Sequence, residues 1–587
     1  MKYRWVWRPY DRPEVAAQLR RDLNDLPEAL VRALLLRGIV DKERARLFFR
    51  PSIDHLHDPF LMRDMDRAAD RIAYALETGE PILVFGDYDV DGTTATALMT
   101  HFLRAVGGDV VFAIPDRFED GYGLNASAID RAATEGRTLM IALDCGVTAV
   151  AEAAYARQKG IDLIVCDHHK APEQLPDAMA VLDPKRPDCP YPFKELSGCG
   201  IGFKVAQAVL ARTSRSAEQA YEYLDLVAIS TASDIVPLEG ENRVLMCEGL
   251  KRLKEARRPG IVALARNAGF DLSACTTSDI VFGLGPRINA AGRIGDAARA
   301  VALLLTEDEA EARLLAGDLE EANAERRSLD QETAREASQL AERQIGGRFP
   351  NVVVVHRDSW HPGVIGIVAS RLVERFYRPT VILTTVNGDL KGSARSISGV
   401  NIYQALKQCA DLLKTFGGHD FAAGLSFDPG RLEAFRERFN DAVGAMITPE
   451  LLSPSISIDA SIDLAHVGGV RDRFWAVLKQ FAPFGPANDK PIWHARGVTL
   501  AADPRRIGKD GNHVKFYVRG EHSNGTPLDA IGFDMSDLFD TLRESRRLGR
   551  PIELLFSLEE NTWNGATTLQ LKARDLRLQE GTEYAPN

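Results

Sequence analysis

The sequence predicts a multi-domain α/β protein that ends in a small β-barrel, and three observations carry this. Apolar runs of strand type alternate with helical stretches from about residue 66, and again from Asn351 to about 447. Between them, over 305–345, lies a span dense in alanine, glutamate, arginine and leucine. Beyond Ser453 the pattern changes to short alternating strands separated by Gly, Asp and Asn turns. Strand–helix alternation implies a parallel sheet with helices on both faces. Short alternating strands bounded by turn residues imply a barrel, here of OB type.

Taken in order, residues 1–65 are rich in arginine and leucine at helical spacing, and a small helical N-terminal region is expected. Over 66–300 the spacing predicts helix Asp66–Thr78, strand Ile82–Phe85, helix Thr94–Val106, strand Val110–Ile114 and helix Ala126–Glu135. Strand Leu139–Leu143, helix Ala149–Lys159 and strand Ile161–Val165 follow. Ligands of such sheets bind at the carboxyl ends of the strands. Residues 301–347 suit a long, partly exposed helix bridging two lobes. A second α/β domain is expected over 348–450. The barrel occupies 451–587, with strands at Val514–Val518, Leu528–Phe533, Ile552–Phe556 and Thr568–Leu571.

Composition is that of a folded soluble protein, 45% hydrophobic and 26% charged. The net charge of −11 argues against a generic nucleic-acid coat protein, yet leaves room for a local basic groove. Arg505, Arg506, Lys509, Lys515, Arg546 and Arg547 gather positive charge toward the C-terminus. None of the seven cysteines forms a CxxC pair, so neither a structural zinc site nor a disulfide framework is expected. No apolar run reaches membrane-span length and the first residues lack a signal-peptide core, so a cytoplasmic location is expected.

The most informative stretch is Pro81-Ile-Leu-Val-Phe-Gly-Asp87-Tyr-Asp89-Val-Asp91-Gly92. In an extended backbone, Asp87, Asp89 and Asp91 would leave on one face. Close carboxylates are costly to desolvate unless a cation sits among them. A calcium EF-hand loop fails, because its twelfth position is Leu98 and a strand precedes it. A haloacid-dehalogenase-like motif, with Asp89 as nucleophile and Asp91 as acid, explains only 83–93. Asp144, Asp167-His168-His169 and Asp234 complete the set at what read as further strand ends. An oxygen-rich site with one or two imidazoles suits Mn²⁺ or Mg²⁺, and two such ions can clamp a phosphoryl group.

Asp167-His168-His169 with the upstream aspartates resembles the DHH phosphoesterase superfamily. The match sharpens with Ile114-Pro-Asp-Arg117-Phe-Glu-Asp-Gly-Tyr122-Gly-Leu124 and Gly283-Leu-Gly-Pro-Arg287-Ile-Asn289-Ala-Ala-Gly292-Arg293. It sharpens again with Lys391-Gly-Ser393-Ala-Arg395 and Gly417-Gly418-His419. Together these resemble the RecJ-type branch, single-strand-specific 5′→3′ DNA exonucleases of repair and recombination, from about residue 30 to 450 and more weakly into the barrel.

The resemblance implies a DHH domain, a connecting helix, a DHH-associated domain and an OB-fold. It implies two Mn²⁺ or Mg²⁺ ions held by Asp87, Asp89, Asp91, Asp144, His168 and Asp234. Asp144 would bridge both, and Asp87 would stand as an inner or outer ligand. Asp167 would orient a histidine, and His169 would meet the scissile phosphate. Ser393, Arg395 and Arg117 would hold a 5′ terminal phosphate beside His419. Arg287, Asn289 and Arg293 would follow the strand, and Tyr122, Phe118 and Trp360 would stack on bases. The implied partners are single-stranded DNA with a 5′ end, single-strand-binding protein and a RecQ-type helicase, and the bilobed plan suggests a monomer. An oligoribonuclease or cyclic-dinucleotide phosphodiesterase of the same superfamily, or a non-catalytic DNA-binding scaffold, are the alternatives.

Overall fold

The computed structural model describes residues 3–117, 120–121, 123–345, 347, 349–521, 526–563 and 565–579. Two compact units divide the chain. One comprises Leu56–Val236 and Leu245–Pro454; the other comprises the N-terminal segment to His55, Pro237–Val244 and the chain from Ser455 onward.

The first unit opens with α1 (Met65–Thr78), which stops at Gly79 in the left-handed conformation. Strand β1 (Ile82–Gly86), α2 (Val90–Ala105), β2 (Val110–Ala113), α3 (Ala126–Thr134), β3 (Leu139–Leu143), α4 (Val150–Gln158), β4 (Asp162–Cys166) and β5 (Ala180–Leu182) follow. The strands form one parallel sheet in the order β2-β1-β3-β4-β5, with Ile82 opposite both Val110 and Leu139. β1 and β3 are buried on both faces, which is why they read as unbroken apolar runs. Leu83, Phe85, Met140, Ala142, Leu163 and Val165 share one core. Because β2 lies on one side of β1 and β3 on the other, the connections diverge there, and a crevice opens at the carboxyl ends of β1 and β3.

Helix α5 (Gly198–Arg212), α6 (Leu224–Ser233) and α7 (Gly285–Ile294) cover the sheet and its loops, and a π-helical turn at Ile280–Leu284 leads into α7. The long helix α8 spans Glu309–Ile345. The second lobe contains β6 (Val353–His356), α9 (Ile365–Phe376), β7 (Thr380–Val386), β8 (Asp389–Arg395), β9 (Thr415–Gly418), β10 (Ala422–Phe427) and α10 (Leu432–Gly444). Its sheet runs β9-β10-β8-β7-β6; β6 and β7 are parallel and the remaining pairs antiparallel.

In the second unit the strands at Trp493–Leu500, Ile552–Trp563, Ala566–Leu578, Leu528–Gly532 and His513–Arg519 pair in turn. Thr499 opposite Arg519 brings the last back to the first, closing the expected barrel. Trp493, Phe516 and Phe556 fill its core together with Leu30 and Leu34 from the N-terminal region. That region is not purely helical as expected: Arg4–Trp7 forms a strand parallel to Ser455–Ile458. The signal was short, four residues in which tryptophan alternates with one arginine and one valine.

Ile141, fully buried in the central strand β3, tests this core. Ile141→Ala is expected to cost about 2–5 kcal/mol. The check is a lower thermal midpoint by circular dichroism; an unchanged midpoint would contradict its central place.

Candidate metal centre

The aspartate triplet converges, but not by the alternation of an extended strand. β1 ends at Gly86, and α2 begins at Val90, four residues before the expected start, because Asp89 caps it. Asp89 Oδ1 accepts from the backbone N–H of Asp91 (2.9 Å) and of Gly92 (3.1 Å). Asp87 therefore leaves the strand end, Asp89 sits at the cap and Asp91 lies in the first helical turn. This sharp strand-to-helix passage needs its glycines. A Cβ on Gly92 would stand 2.4 Å from Asp87 O, and one on Gly86 would stand 1.9 Å from Thr96 Oγ1.

Asp91 is buried and tightly held. Its carboxylate accepts from the N–H groups of Gly198 (2.6 Å) and Cys199 (2.8 Å) at the start of α5, and from Ser230 Oγ of α6 (2.7 Å). Asp144 follows β3 in the left-handed conformation (φ 60°), which aspartate tolerates. Gly198 packs so closely on it that a Cβ would lie 2.7 Å from Asp144 Cβ. Asp234 was expected at a strand end; it instead caps the C-terminus of α6. The helical pattern read over Tyr221–Ile229 continues in the structure to Ser233, which leaves no strand before Asp234.

His168 Nε2 lies 3.1 Å from Asp144 Oδ1, 3.5 Å from Asp234 Oδ2 and 3.6 Å from Asp91 Oδ2. Three overlapping groups of possible ligand atoms result, each within 4.8 Å: Asp87, Asp89 and Asp144; Asp91, His168 and Asp234; Asp144, His168 and His169. Burial pushes the carboxyls of Asp87, Asp89 and Asp144 above the usual range, and their neighbouring carboxylates push further. Asp234 rises to about 8 by burial and the charges of Asp91 and Asp89. Burial lowers His168, keeping its imidazole neutral. Asp87 Oδ1 and both ring nitrogens of His168 are buried without a hydrogen-bond partner. Crowded carboxylates, a neutral imidazole and orphaned donor atoms fit divalent cations of the Mn²⁺ or Mg²⁺ type.

Asp167 orients His169. Its Oδ1 meets His169 Nδ1 at 2.7 Å and accepts from the backbone N–H of His168 and His169, while Oδ2 accepts from Val147 N–H (2.9 Å). Burial works against the Asp167 charge, but the hydrogen bond and charge of His169 outweigh it and bring Asp167 to about 2. Burial works against a charged His169 as well, and Asp167 outweighs it, raising His169 to about 9.

Opposite charge gathers on Arg395 of the second lobe and on Arg117 and Arg293 of the first. Arg395 Nη1 donates to Ser393 Oγ (3.0 Å), and a Cβ on Gly366, in the first turn of α9, would lie 3.1 Å from both side chains. Arg293 donates to Gly363 O just before that turn (3.2 Å). Arg117 stacks 4.8 Å over the Tyr88 ring. Burial and the charges of Arg117, Arg326 and Arg395 lower Arg293 to about 10, with Asp89 opposing them; burial and Arg117 lower Arg395. Arg395 and Ser393 beside the first turn of α9, with Arg117 and Arg293, offer the donors an anion would use. Gly363 and Gly366 border these residues and were missed; their spacing ahead of a helical run was the available signal. His419 is exposed, and its N–H donates to Ala422 O (2.8 Å).

Other expected strand contacts fall elsewhere. Arg287 is buried: it pairs with Glu320 of α8 (2.5 Å) and donates to Gly283 O and Asn267 O, so its guanidinium is committed inside the protein. Asn289 Oδ1 accepts from Val90 N–H (3.2 Å) and braces the aspartate turn. Trp360 is a core residue whose Nε1 donates to Glu336 (2.9 Å). Tyr122 and Phe118 lie outside the described residues.

The DHH family, N-terminal domain, matches residues 81–231, the DHHA1 domain matches 349–445, and the RecJ OB domain matches 458–575. The single-stranded-DNA-specific exonuclease RecJ of Bacillus subtilis is 39% identical over 585 residues, 99% of this chain and 71% of that protein. The exonuclease of that name from Salmonella typhimurium is 35% identical over 94% of this chain and 96% of its own. The crystal structure of RecJ with Mn²⁺ from Thermus thermophilus superimposes with a TM-score of 0.81 at 29% identity, covering 98% of this chain and 80% of that one. The complex of RecJ from that source with Mg²⁺ gives 0.74 at 27%, covering 98% and 79%. The chain belongs to the RecJ family.

One buried acid beside the centre was not anticipated. Asp183, just beyond β5, is fully buried; Oδ1 accepts from Lys185 N–H (2.7 Å) and Oδ2 has no hydrogen-bond partner. Burial raises it to about 6. Because its folded value lies above that of an unfolded aspartate, about 3.9, the bound proton favours folding. That stabilisation is complete below about pH 4 and is lost as pH rises through about 6. Relative to Asp183→Asn, the native protein is therefore expected to gain on the order of 2 kcal/mol as pH falls from 7 to 4. Thermal midpoints of both proteins across that range provide the check; a constant difference would refute the shift.

Proposed function

We propose that this protein is a metal-dependent exonuclease that hydrolyses single-stranded DNA from its 5′ end and releases 5′ mononucleotides. The observation that supports it best is the donor cluster at the β1/β3 switch point of one lobe, with an arginine-lined anion site on the other. Asp87, Asp89, Asp91, Asp144, His168 and Asp234 would hold two Mn²⁺ or Mg²⁺ ions, and Asp144 and His168 each belong to two of the donor groups. When bound, such ions activate a water and neutralise charge developing on the phosphoryl oxygens.

The remaining roles belong to the protein. Asp167 fixes the His169 ring through Nδ1, and the imidazole would bond a phosphate oxygen or protonate the leaving oxygen. Arg395, Ser393, Arg117 and Arg293, with the N-terminal turn of α9, would bind the terminal phosphate and set 5′→3′ polarity. Asn289 and Ser230 act on the reaction through the aspartates they brace.

On the barrel, a groove of about 1040 Å³ is lined by Arg471, Lys515, Tyr517 and Thr568. Lys515 lies 5.9 Å from the Tyr517 ring centroid. A tyrosine beside cations suits stacking on a strand away from the centre. No helix among the described residues is long and apolar enough to cross a membrane. A cytoplasmic monomer working in repair with single-strand-binding protein and a RecQ-type helicase completes this reading.

The test is Mn²⁺-dependent digestion of single-stranded oligonucleotides labelled separately at each end. Mononucleotide release from the 5′ end is expected, falling about a thousandfold in Asp144→Ala, a loss of roughly 4 kcal/mol of transition-state stabilisation. Cleavage of dinucleotides alone would move the protein to the short-substrate branch; tight binding without hydrolysis would leave a scaffold. Arg395→Ala is expected to erase a preference of about 10–100-fold for 5′-phosphorylated over 5′-hydroxyl ends. Paired kinetics on the two ends read this directly.

A further inference from the structure

Asp87 and Asp89 belong to the donor cluster; Tyr88, between them, does not. Its place in the turn is nevertheless tightly fixed. A Cβ on Gly292 of α7 would lie 2.5 Å from Tyr88 O and 3.2 Å from Tyr88 Cβ, so the α7 backbone packs directly on this residue. Just after it, Asn289 Oδ1 takes the N–H of Val90, and Asp89 Oδ1 takes those of Asp91 and Gly92. Just before it, the Asp87 carbonyl is hemmed in by Gly92, where a Cβ would stand 2.4 Å from the oxygen. The Tyr88 ring therefore projects from a backbone with little room to shift.

That ring is half-buried and carries the Arg117 guanidinium over its face, 4.8 Å from the centroid. Cation–π pairs are common in proteins and ordinarily need no function. This one differs in where it keeps its cation. Arg117 lies in the loop after β2, and a long side chain on a loop has many rotamers to choose from. Its charge reaches both clusters. Burial lowers Arg293 and Arg395, and Arg117 lowers both further. Burial and Asp89 raise Asp87, and Arg117 opposes them. A guanidinium repelled by two others would relieve that repulsion by swinging out to solvent. The negative face of an aromatic ring offsets the repulsion, and a planar guanidinium stacks on it well. With the cation already in place, a phosphate that binds it has less side-chain freedom to freeze.

We infer that Tyr88 is a positioning residue for the 5′-terminal phosphate: its ring, anchored in the aspartate turn, holds the Arg117 guanidinium ready for that phosphate. This rests on the exonuclease reading above. Tyr88 acts through Arg117 and takes no part in the bond-breaking step.

The test compares two variants without the ring, Tyr88→Leu and Tyr88→Met, with Tyr88→Phe, which keeps it, each alone and beside Arg117→Ala. KM and kcat are measured under Mn²⁺ on 5′-phosphorylated and 5′-hydroxyl single strands. Loss of the ring is expected to raise KM about five- to tenfold on phosphorylated ends, with kcat nearly unchanged. The rise should vanish on hydroxyl ends, in Tyr88→Phe, and wherever Arg117→Ala has already removed the cation. The Mn²⁺ concentration giving half the maximal rate should stay at its native value, which separates a role toward Arg117 from damage to Asp87 and Asp89. Equal KM rises on both kinds of end, a rise that persists in full beside Arg117→Ala, a Tyr88→Phe protein that behaves like the ring-less variants, or no rise at all would each overturn the inference. A native protein that digests nothing would instead defeat the exonuclease reading, so the two failures are distinguishable.

Discussion

The constraint on which this structure turns is the mutual repulsion of carboxylates brought together at the end of a parallel sheet. Asp87, Asp91 and Asp144 are buried, and Asp89 and Asp234 crowd them. Burial raises the carboxyls of Asp87, Asp89, Asp144 and Asp234, and their neighbouring carboxylates raise them further. Such a cluster persists only where the backbone leaves no alternative, and here the backbone is over-determined. Asp89 is spent on capping α2, Asp91 is gripped by α5 and α6, and glycines at 86, 92 and 198 stand where any Cβ would collide. Stability is thereby exchanged for a preorganised set of oxygen donors, the condition under which a divalent cation binds without rearranging its ligands.

A group of arginines mirrors this with the opposite sign. Burial and Arg117 depress both Arg293 and Arg395, and Arg326 and Arg395 depress Arg293 further. An arginine crowded by arginines is as unfavourable as an aspartate crowded by aspartates, and each cluster is relieved by a ligand that the other would repel. Cations suit the carboxylates and a phosphate the arginines. On the proposed reading, a phosphodiester chain with ions on its scissile phosphate would satisfy both at once.

How much of this the sequence showed depended on whether the signal was local. The parallel sheet was legible because β1, β3 and β4, buried on both faces, leave uninterrupted apolar runs. That acids gather at one end of the sheet was legible from Asp87 and Asp144, which come just after such runs. The manner of their convergence was not. The alternation of Asp87, Asp89 and Asp91 suggests an extended backbone, whereas an N-cap turns the chain after two residues, and capping competes with extension in a way residue spacing cannot reveal. Arg287 and Trp360 failed for a different reason. A long polar or amphipathic side chain can face substrate or core, and only the partners supplied by α8, Glu320 and Glu336, decide between them. Asp183 followed no obvious pattern at all, because its burial depends on packing around a three-residue edge strand.

The role of α8 follows from these partners. Its N-terminal half takes Arg287 on Glu320 and receives Asn267 on Ala316 O, so it belongs to the first lobe. Its C-terminal half contributes Ala337 and Ala341 to the core that holds Trp360 and Ile365, so it belongs to the second. Between them the fully buried Asp330 pairs with Arg371 of α9 (2.7 Å) and sits 3.9 Å from Arg326. Burial raises Asp330, and Arg371 and Arg326 oppose that rise. A helix of 37 residues runs about 55 Å without a hinge. One rigid element therefore carries both the brace for α7, which supports the aspartate turn through Asn289, and the anchor for α9, whose first turn lies against Ser393 and Arg395. The separation between the carboxylate cluster and the Ser393–Arg395 pair is thereby set by the geometry of one helix.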